Sequence, residues 1–396
     1  MAVALVAAVF IILGCDDLIT ETTNITQVDT TLGLECSRCH TDGNNRYLRP
    51  QEQWRNSAHA SDDLLNGKVN LNGDLLSVAT CGPECHTHEG YLYWMENGTR
   101  QTQSAPNVIG CFTCHSPHTG DFGTWSDTIL RDVNSDNEDY VNLVTGIYDI
   151  GRSNLCAQCH QATEAHPRAD TNKITIDSDF GPHFSCQADV IIGEGGYLFG
   201  YAAPSNTHKS NKNGCLSCHF GTGQAYQFGE HTFELEDKTT GAQYLTNCNV
   251  SGCHSSNALT NLYEFSDYDS IPILADSLES LLRIWGYLDP DDEEGVEFTT
   301  NVTVSSTVAN IINNYLLFKM DGSNGVHNPA YFEKLLSVSV EKWNSIPPAV
   351  NFGASQTEIC VGDTVWFSDS SVSLTTVVRW EWDFGDGGSS AEQNPE

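Results

Sequence analysis

Four Cys-x-x-Cys-His strings punctuate this 396-residue chain, at Cys36/Cys39/His40, Cys111/Cys114/His115, Cys156/Cys159/His160 and Cys215/Cys218/His219. Two wider versions join them, Cys81-x3-Cys85-His86 and Cys248-x4-Cys253-His254. Two closely spaced thiols followed at once by an imidazole form the grouping that covalent haem c attachment uses. The thiols become thioethers on the porphyrin vinyl groups, and the adjacent imidazole turns back over the ring to take the iron from one face. At this composition chance supplies roughly 0.02 strict copies. Zinc is the rival, because Cys-x-x-Cys pairs also build zinc ribbons, which join two pairs about one ion and have no need of a His after each. Here all six pairs carry that His. The expectation is six haem c groups, each with the motif His (His40, His86, His115, His160, His219 or His254) as its proximal iron ligand.

Such motifs decide how a core can be built. From about residue 34 to 254 the chain is rich in Gly, Asn, Ser and Thr and has few sustained helical or strand periods. Without a cofactor that composition would read as disorder. With large apolar rings bonded in, the core becomes porphyrin, and thioethers take the part that disulfides play in small secreted domains. Loops and short helices suffice as the peptide, and the rings must lie close enough for rapid electron hopping.

Beyond His254 the pattern turns helical: Leu274, Leu278, Leu281, Leu282, Trp285 and Leu288 repeat at helical spacing, and so do Val308, Ile311, Ile312, Tyr315 and Leu316. A third helix is announced by Asn328 as N-cap and Pro329 at its first position, followed by Tyr331, Leu335, Leu336 and Val338. Residues 34–345 thus read as a loop-rich, mainly α multihaem cytochrome c domain whose helical part covers 270–345. Ile346-Pro347-Pro348 marks a linker.

After it, Thr364 to Phe367 and Val377 to Phe384 alternate as strands do, with Val378, Trp380, Trp382 and Phe384 on one face. The string Trp380-Glu381-Trp382-Asp383-Phe384-Gly385-Asp386-Gly387, with Asn394-Pro395, closely resembles a PKD domain. That resemblance implies a partial all-β, immunoglobulin-like sandwich over 346–396, with further strands and a disulfide partner for Cys360 expected past residue 396.

The first residues, Ala2 to Leu13, form an apolar run too short to span a bilayer, and Gly14-Cys15 follows. Ile12-Leu13-Gly14-Cys15 resembles a bacterial lipobox, with Cys15 as the lipidated residue; the alternative is an ordinary signal peptide, since no Lys or Arg precedes the run. Residues 1–15 then form the leader and 16–33 a linker. Either reading means export, to the cell envelope under a lipid anchor or beyond it. Asp and Glu number 52 against 18 Lys and Arg, a formal charge of −34. Such a surface repels a phosphate backbone and excludes nucleic acid as a partner. It suits a basic redox protein, a cationic mineral or metal ions, or simply keeps an exported chain soluble. The run Asp289 to Glu294 reads as a solvated loop.

Six haems would need a second axial ligand each. Eight His lie outside the motifs: His59, His88, His118, His166, His183, His208, His231 and His327. Met is the usual alternative, but only Met95 and Met320 follow the leader, so bis-His ligation with closed irons is expected. Several segments carry a resemblance that sharpens the choice. They are Trp54 to His59, Cys111 to His118, Gly181-Pro182-His183, Thr207-His208, Gly229 to Phe233, and Asp321 through His327-Asn328-Pro329. Together they resemble the cytochrome group around cytochrome c nitrite reductase, octahaem tetrathionate reductase and hydroxylamine oxidoreductase. The resemblance implies His59, His118, His183, His208, His231 and His327 as distal ligands, with His88 and His166 as spares.

Departures matter too. No Cys-x-x-Cys-Lys string is present, and no counterpart of the cross-linking Tyr is recognisable. Cys186 stands where the group has a smaller residue, as a buried thiol or an odd ligand. The expectation is a non-enzymatic electron conduit that exchanges electrons with other redox proteins or an extracellular acceptor. Its alternatives are a reductase of a small nitrogen or sulfur oxyanion at one open haem, and a homopolymer in which a spare His caps a haem of the next subunit.

Overall fold

The computed structural model describes residues 48–61, 82–101, 103, 107–116, 130–131, 142–143, 146–147, 149–162, 173–177, 180–211, 213–221, 229–237, 239–255, 258–263, 268–297, 302–346, 350–371 and 377–396. Cys15, Cys36, Cys39, His40, Cys81, His118 and His166 lie outside the described residues. The chain divides into two units that interleave along the sequence. Unit 1 takes residues 1–142, 146–160 and 209–264, and unit 2 takes 143–145, 161–208 and 265–396.

Unit 2 is built on three helices, Ser270–Ile284, Ser306–Asp321 and Pro329–Ser345, in mutual contact. The middle helix is buried almost all round, from Val308 through Phe318. A helix buried on every face belongs to an interior, and Ile271, Leu278 and Leu282 meet it from one neighbour, Tyr331, Leu335, Leu336 and Trp343 from the other. A short antiparallel pair, Ile174–Ile176 with Val302–Val304, closes the same core, with Ile174 opposite Val304.

Two adjacent polar side chains of that interior helix, with Tyr331 of the third, hold irregular backbone. Asn314 accepts from the Tyr197 N–H at 2.7 Å and donates to the Tyr197 carbonyl and Ser339 Oγ, both at 2.9 Å. Asn313 donates to the Gly195 carbonyl at 3.2 Å, and Tyr331 accepts from the Gly196 N–H at 2.8 Å. The loop from 193 to 200 is therefore stitched down as a strand would be, which satisfies backbone groups that burial would otherwise strand.

The third helix begins where the sequence placed it. Asn328 accepts from the Tyr331 N–H at 3.2 Å, Pro329 follows at the first helical position, and Asn328 Nδ2 also donates to the Val190 carbonyl at 2.9 Å. Fully buried, Asn328 both caps the helix and ties it to the preceding segment. Asn328→Ala is expected to cost about 1–3 kcal/mol, read as a lowered denaturant midpoint with an unchanged slope. The acidic run also departs from a merely solvated loop. Asp292 accepts from the N–H groups of Glu294, Val296 and Glu297, while Arg283 donates to the carbonyls of Asp289 and Asp292.

In the segment from 350 onward, Phe352–Ala354 pairs antiparallel with Phe367–Asp369, and Trp382–Asp383 with Ser389–Ser390. Phe352, Phe367, Trp382 and Phe384 cluster with ring centroids 5.4–6.3 Å apart. The expected strands are shortened and displaced: pairing reaches only Trp382–Asp383 of the Val377–Phe384 stretch. Val378 is 88 % exposed, against the face expected for it, whereas Trp380, Trp382 and Phe384 are half-buried. An alternating pattern becomes a ladder only where a partner strand runs beside it, and here the partner comes back after the Gly385–Gly387 turn.

Unit 1 has short helices set in loops. They are Leu48–Arg55, Pro83–His86, His88–Asn97, Cys111–Cys114, Asn154–Ala157 and Gly214–His219. Its described apolar core is slight, a cluster around Tyr91 and Leu155 with Leu92, Trp94, Met95, Leu130, Cys114 and Cys159 against it.

Candidate functional site: thiol pairs and facing imidazoles

The three strict motifs among the described residues share one local solution, a helical turn. Cys111–Cys114 is a turn by itself, Gly214–His219 contains the whole Cys215/Cys218/His219 motif, and Asn154–Ala157 leads Cys156 into the turn at Cys159. Helical residues three apart share a face, so one turn presents both sulfurs of a pair to the same side. The turn is closed on the first Cys. His115 N–H donates to the Cys111 carbonyl and His160 N–H to that of Cys156, each at 2.9 Å. In the widest motif His254 N–H reaches the Cys248 carbonyl at 3.0 Å, so the longer loop bulges without losing that closure.

Motifs far apart in sequence converge through their sulfurs. The Cys159 thiol bonds to Cys85 and the Cys156 thiol to Cys215; these contacts, together with burial, hold both Cys156 and Cys159 well above the ordinary thiol range. Burial pushes Cys114 up to about 11, partly offset by Arg131. Burial beside Cys248, Cys215 and Cys253 pushes Cys218 up to about 12. The backbone agrees with these contacts: Cys85 Sγ lies 3.9 Å from the Gln158 carbonyl and Cys159 Sγ 3.8 Å from that of Glu84. Backbone contacts join the same motifs: Leu216 N–H donates to Ser153 Oγ at 3.4 Å, and Asn247 Nδ2 to the Cys218 carbonyl at 3.0 Å. Cys114 stands close to both Cys156 and Cys159.

Two candidate distal imidazoles face motif imidazoles. His59 lies 6.1 Å from His160 between ring centroids, with planes at 78°. His231 lies 6.1 Å from His115, with planes at 32°. Two imidazoles on opposite sides of one iron need two metal–nitrogen bonds of about 2 Å plus their ring radii, or about 6 Å. Burial, then the facing His160, pulls His59 down to about 4, and burial with His115 does the same to His231. Both rings are therefore neutral near pH 7, the form a metal takes.

Hydrogen bonds fix the tautomer of four more. His219 Nδ1 donates to the Phe233 carbonyl at 2.8 Å and His208 Nδ1 to the His327 carbonyl at 3.3 Å. His327 Nδ1 donates to Asp321 at 2.7 Å, against a carboxylate with no exposure. Ser185 Oγ spends its proton on the Gln161 carbonyl, so at 3.2 Å it must accept from His183 Nδ1. In each case the proton sits on Nδ1 and the lone pair on Nε2, the arrangement in which a second partner orients a ligand. Backbone strain gathers at the same places: His183 itself has φ 68°, and His231 lies between Glu230 at 48° and Phe233 at 61°. Positive φ in such residues costs energy and recurs at functional sites.

His183, His208 and His327 belong to unit 2, whereas His59 and His231 belong to unit 1. His88 is fully buried and bonds through Nδ1 to Thr113 Oγ1 at 2.9 Å, within the turn of Cys111–Cys114. Cys186 is fully buried with its sulfur 3.7 Å from the Leu317 carbonyl, and burial pushes its thiol well up. It stands as a buried thiol.

The residues fit haem c. Three thiol pairs lie on helical turns, neutral imidazoles face each other at iron-spanning distance, and the described apolar core of unit 1 is slight. Among the described residues the buried Tyr91 hydroxyl has no hydrogen-bond partner, as a polar atom that meets a cofactor group would. Among the described residues no group of three or more His, Cys, Asp or Glu is arranged to hold a metal ion.

Gly90 and Thr87 carry no motif and are not singled out by sequence, and the role of Phe233 within the segment Gly229 to Phe233 is not legible there either. Thr87 accepts from the Gly90 N–H and donates to the Pro83 carbonyl, both at 2.9 Å, which docks the helix His88–Asn97 onto the turn of Cys85 and His86. A side chain at Gly90 would overlap the Pro83 carbonyl and Thr87 Oγ1. Gly90→Ala is expected to destabilise this pair of turns by about 1–3 kcal/mol; haem per chain and the thermal midpoint would both register it.

No family model and no curated protein matches this chain. A solved structure described as Outer Cell Wall Cytochrome OcwA is similar to it, at 18 % identity with a TM-score of 0.44, covering 73 % of this chain and 49 % of that one. The chain thus spans about half the length of that structure. Among the described residues no helix is long and apolar enough to cross a membrane.

Proposed function

We propose that this protein conducts electrons through covalently attached c-type haems closed by two imidazoles each. The observation that carries the reading is the pair of facing imidazoles, His59 with His160 and His231 with His115, each beside the thiols of a Cys-x-x-Cys turn. Haem supplies one-electron carriage; the chain's residues attach it, orient it and close the iron. Cys85, Cys111, Cys114, Cys156, Cys159, Cys215, Cys218, Cys248 and Cys253 would tether, and His86, His115, His160, His219 and His254 would bind iron proximally. Cys36, Cys39, His40 and Cys81 complete the six motifs from sequence. His59 and His231 would close two irons, with His118, His183, His208 and His327 as the further distal set. The Nδ1 bonds of His183, His208, His219 and His327 hold those rings in the ligating tautomer.

Contacts between the motifs support an order for the relay: the Cys85 site beside the Cys156/Cys159 site, then Cys215/Cys218, then Cys248/Cys253, with the Cys111/Cys114 site beside Cys159. Export, a lipid at Cys15 and a PKD-like module over 346–396 fit a carrier delivering electrons at or beyond the cell envelope. Closed irons favour this over oxyanion reduction.

Haem counting by pyridine haemochrome after acid–acetone extraction, with EPR of the oxidised protein, tests it. Six covalent haems per chain, all low-spin, are expected. Extractable haem, or zinc at the Cys sites, would overturn the reading.

A further inference from the structure

We infer that Phe233 is a positioning residue shared by two haem sites, its backbone carbonyl holding His219 and its ring holding His59. This rests on the haem reading above and adds a coupling between the ligand shells of separate irons. The Phe233 carbonyl accepts from His219 Nδ1 at 2.8 Å. Its ring meets His59 edge-on, with centroids 4.7 Å apart and planes at 81°, and His59 in turn faces His160. Two residues earlier on the same loop, His231 faces His115. Six residues, Gly229 to Glu234, thus touch three motif sites.

The loop is built to hold that pose. Gly229, Glu230 and Phe233 all have positive φ, at 75°, 48° and 61°. Gly229 N–H donates to the Glu234 carbonyl at 2.7 Å, Phe233 N–H to that of Glu230 at 3.1 Å, and Thr232 Oγ1 to that of Gly229 at 2.8 Å. Glu230 pairs with Arg49 at 3.1 Å on the Leu48–Arg55 helix. A left-handed Phe survives only where its surroundings over-determine it, and the result is a carbonyl aimed at His219 and a ring wedged against His59.

The chemistry follows from each contact. An Nδ1–H bond to a carbonyl makes an imidazole more basic, which favours ferric iron and lowers the potential. The ring against His59 sets the rotation of that imidazole and so the angle of 78° to His160. Rings at such an angle would hold a bound iron with two d orbitals almost degenerate, which would give a strongly anisotropic low-spin EPR signal distinct from that of a near-parallel pair.

Redox titrations of the haem-loaded protein, followed by EPR, separate the two contacts. Phe233→Gly keeps the left-handed backbone and its carbonyl but removes the ring. Only the strongly anisotropic signal should change, with its potential. Phe233→Val disfavours positive φ and displaces the carbonyl, so a second component should move to more positive potential. Phe233→Tyr should restore both. Haem per chain is measured for every variant, and should Phe233→Val load poorly, Phe233→Gly against Phe233→Tyr decides alone. Fully loaded Phe233→Gly with every component at its wild-type value, or with all components shifted together, would overturn the inference. A wild-type protein without covalent haem would instead overturn the reading beneath it.

Discussion

His231→Ala is expected to turn one haem per chain from low-spin to high-spin and to open that iron to carbon monoxide or cyanide. The imidazole faces His115 at 6.1 Å, and its replacement by a methyl group removes that nitrogen from the position opposite His115. Phe220 and Phe233 are the rings beside it, with centroids 4.6 and 6.5 Å away, and neither can ligate. His59→Ala should do the same at the His160 iron, where Phe233 again supplies only an apolar wall. His88→Ala is the control. That imidazole bonds to Thr113 inside the protein, so its loss should lower stability and leave every iron low-spin. Spin quantitation and the ligand-induced change in the visible spectrum read all three. Low-spin spectra in both His231→Ala and His59→Ala would mean that neither residue is a ligand.

Asn314→Ala should destabilise unit 2 by about 2–6 kcal/mol, from the orphaned N–H and carbonyl of Tyr197 at about 1–3 kcal/mol each. Asn314 is fully buried and makes three hydrogen bonds, two of them to that one residue. Ser339 still has the Leu335 carbonyl at 2.7 Å, so little is lost on that side. A denaturant titration followed by tryptophan fluorescence would report the change through Trp343, buried in the same core. Asn97→Ala, on an exposed helix end, should move the midpoint by no more than about 0.5 kcal/mol.

Asn314 also marks where periodicity stops being informative. The apolar residues Val308, Ile311, Ile312, Tyr315 and Leu316 located the helix, but they read as one stripe with Asn310, Asn313 and Asn314 off it. Those three Asn are buried as well. Nothing local announces that an irregular loop more than a hundred residues earlier will cover the polar face and bond to it. Asn328 and Pro329 are the opposite case. Capping is a contact between near neighbours, so three residues of sequence suffice to place that helix start.

The same division runs through the candidate site. A Cys-x-x-Cys-His string determines its own turn, because the helical period puts the two thiols on one face and the following N–H on the first Cys carbonyl. The Gly-, Asn- and Ser-rich composition of residues 34–254 agrees with the slight described apolar core of unit 1, but not with residues 162–199, where Ile176, Cys186 and Val190 join the core of unit 2. Only the tertiary structure decided that His59 faces His160 and His231 faces His115, about a hundred residues apart in each case. Only it showed that Phe233, which the sequence placed merely near His231, contacts both His219 and His59. Ligand pairing is a long-range contact set by how loops cross, and a sequence records the chemistry of each partner without recording which crossings burial and hydrogen bonding will favour.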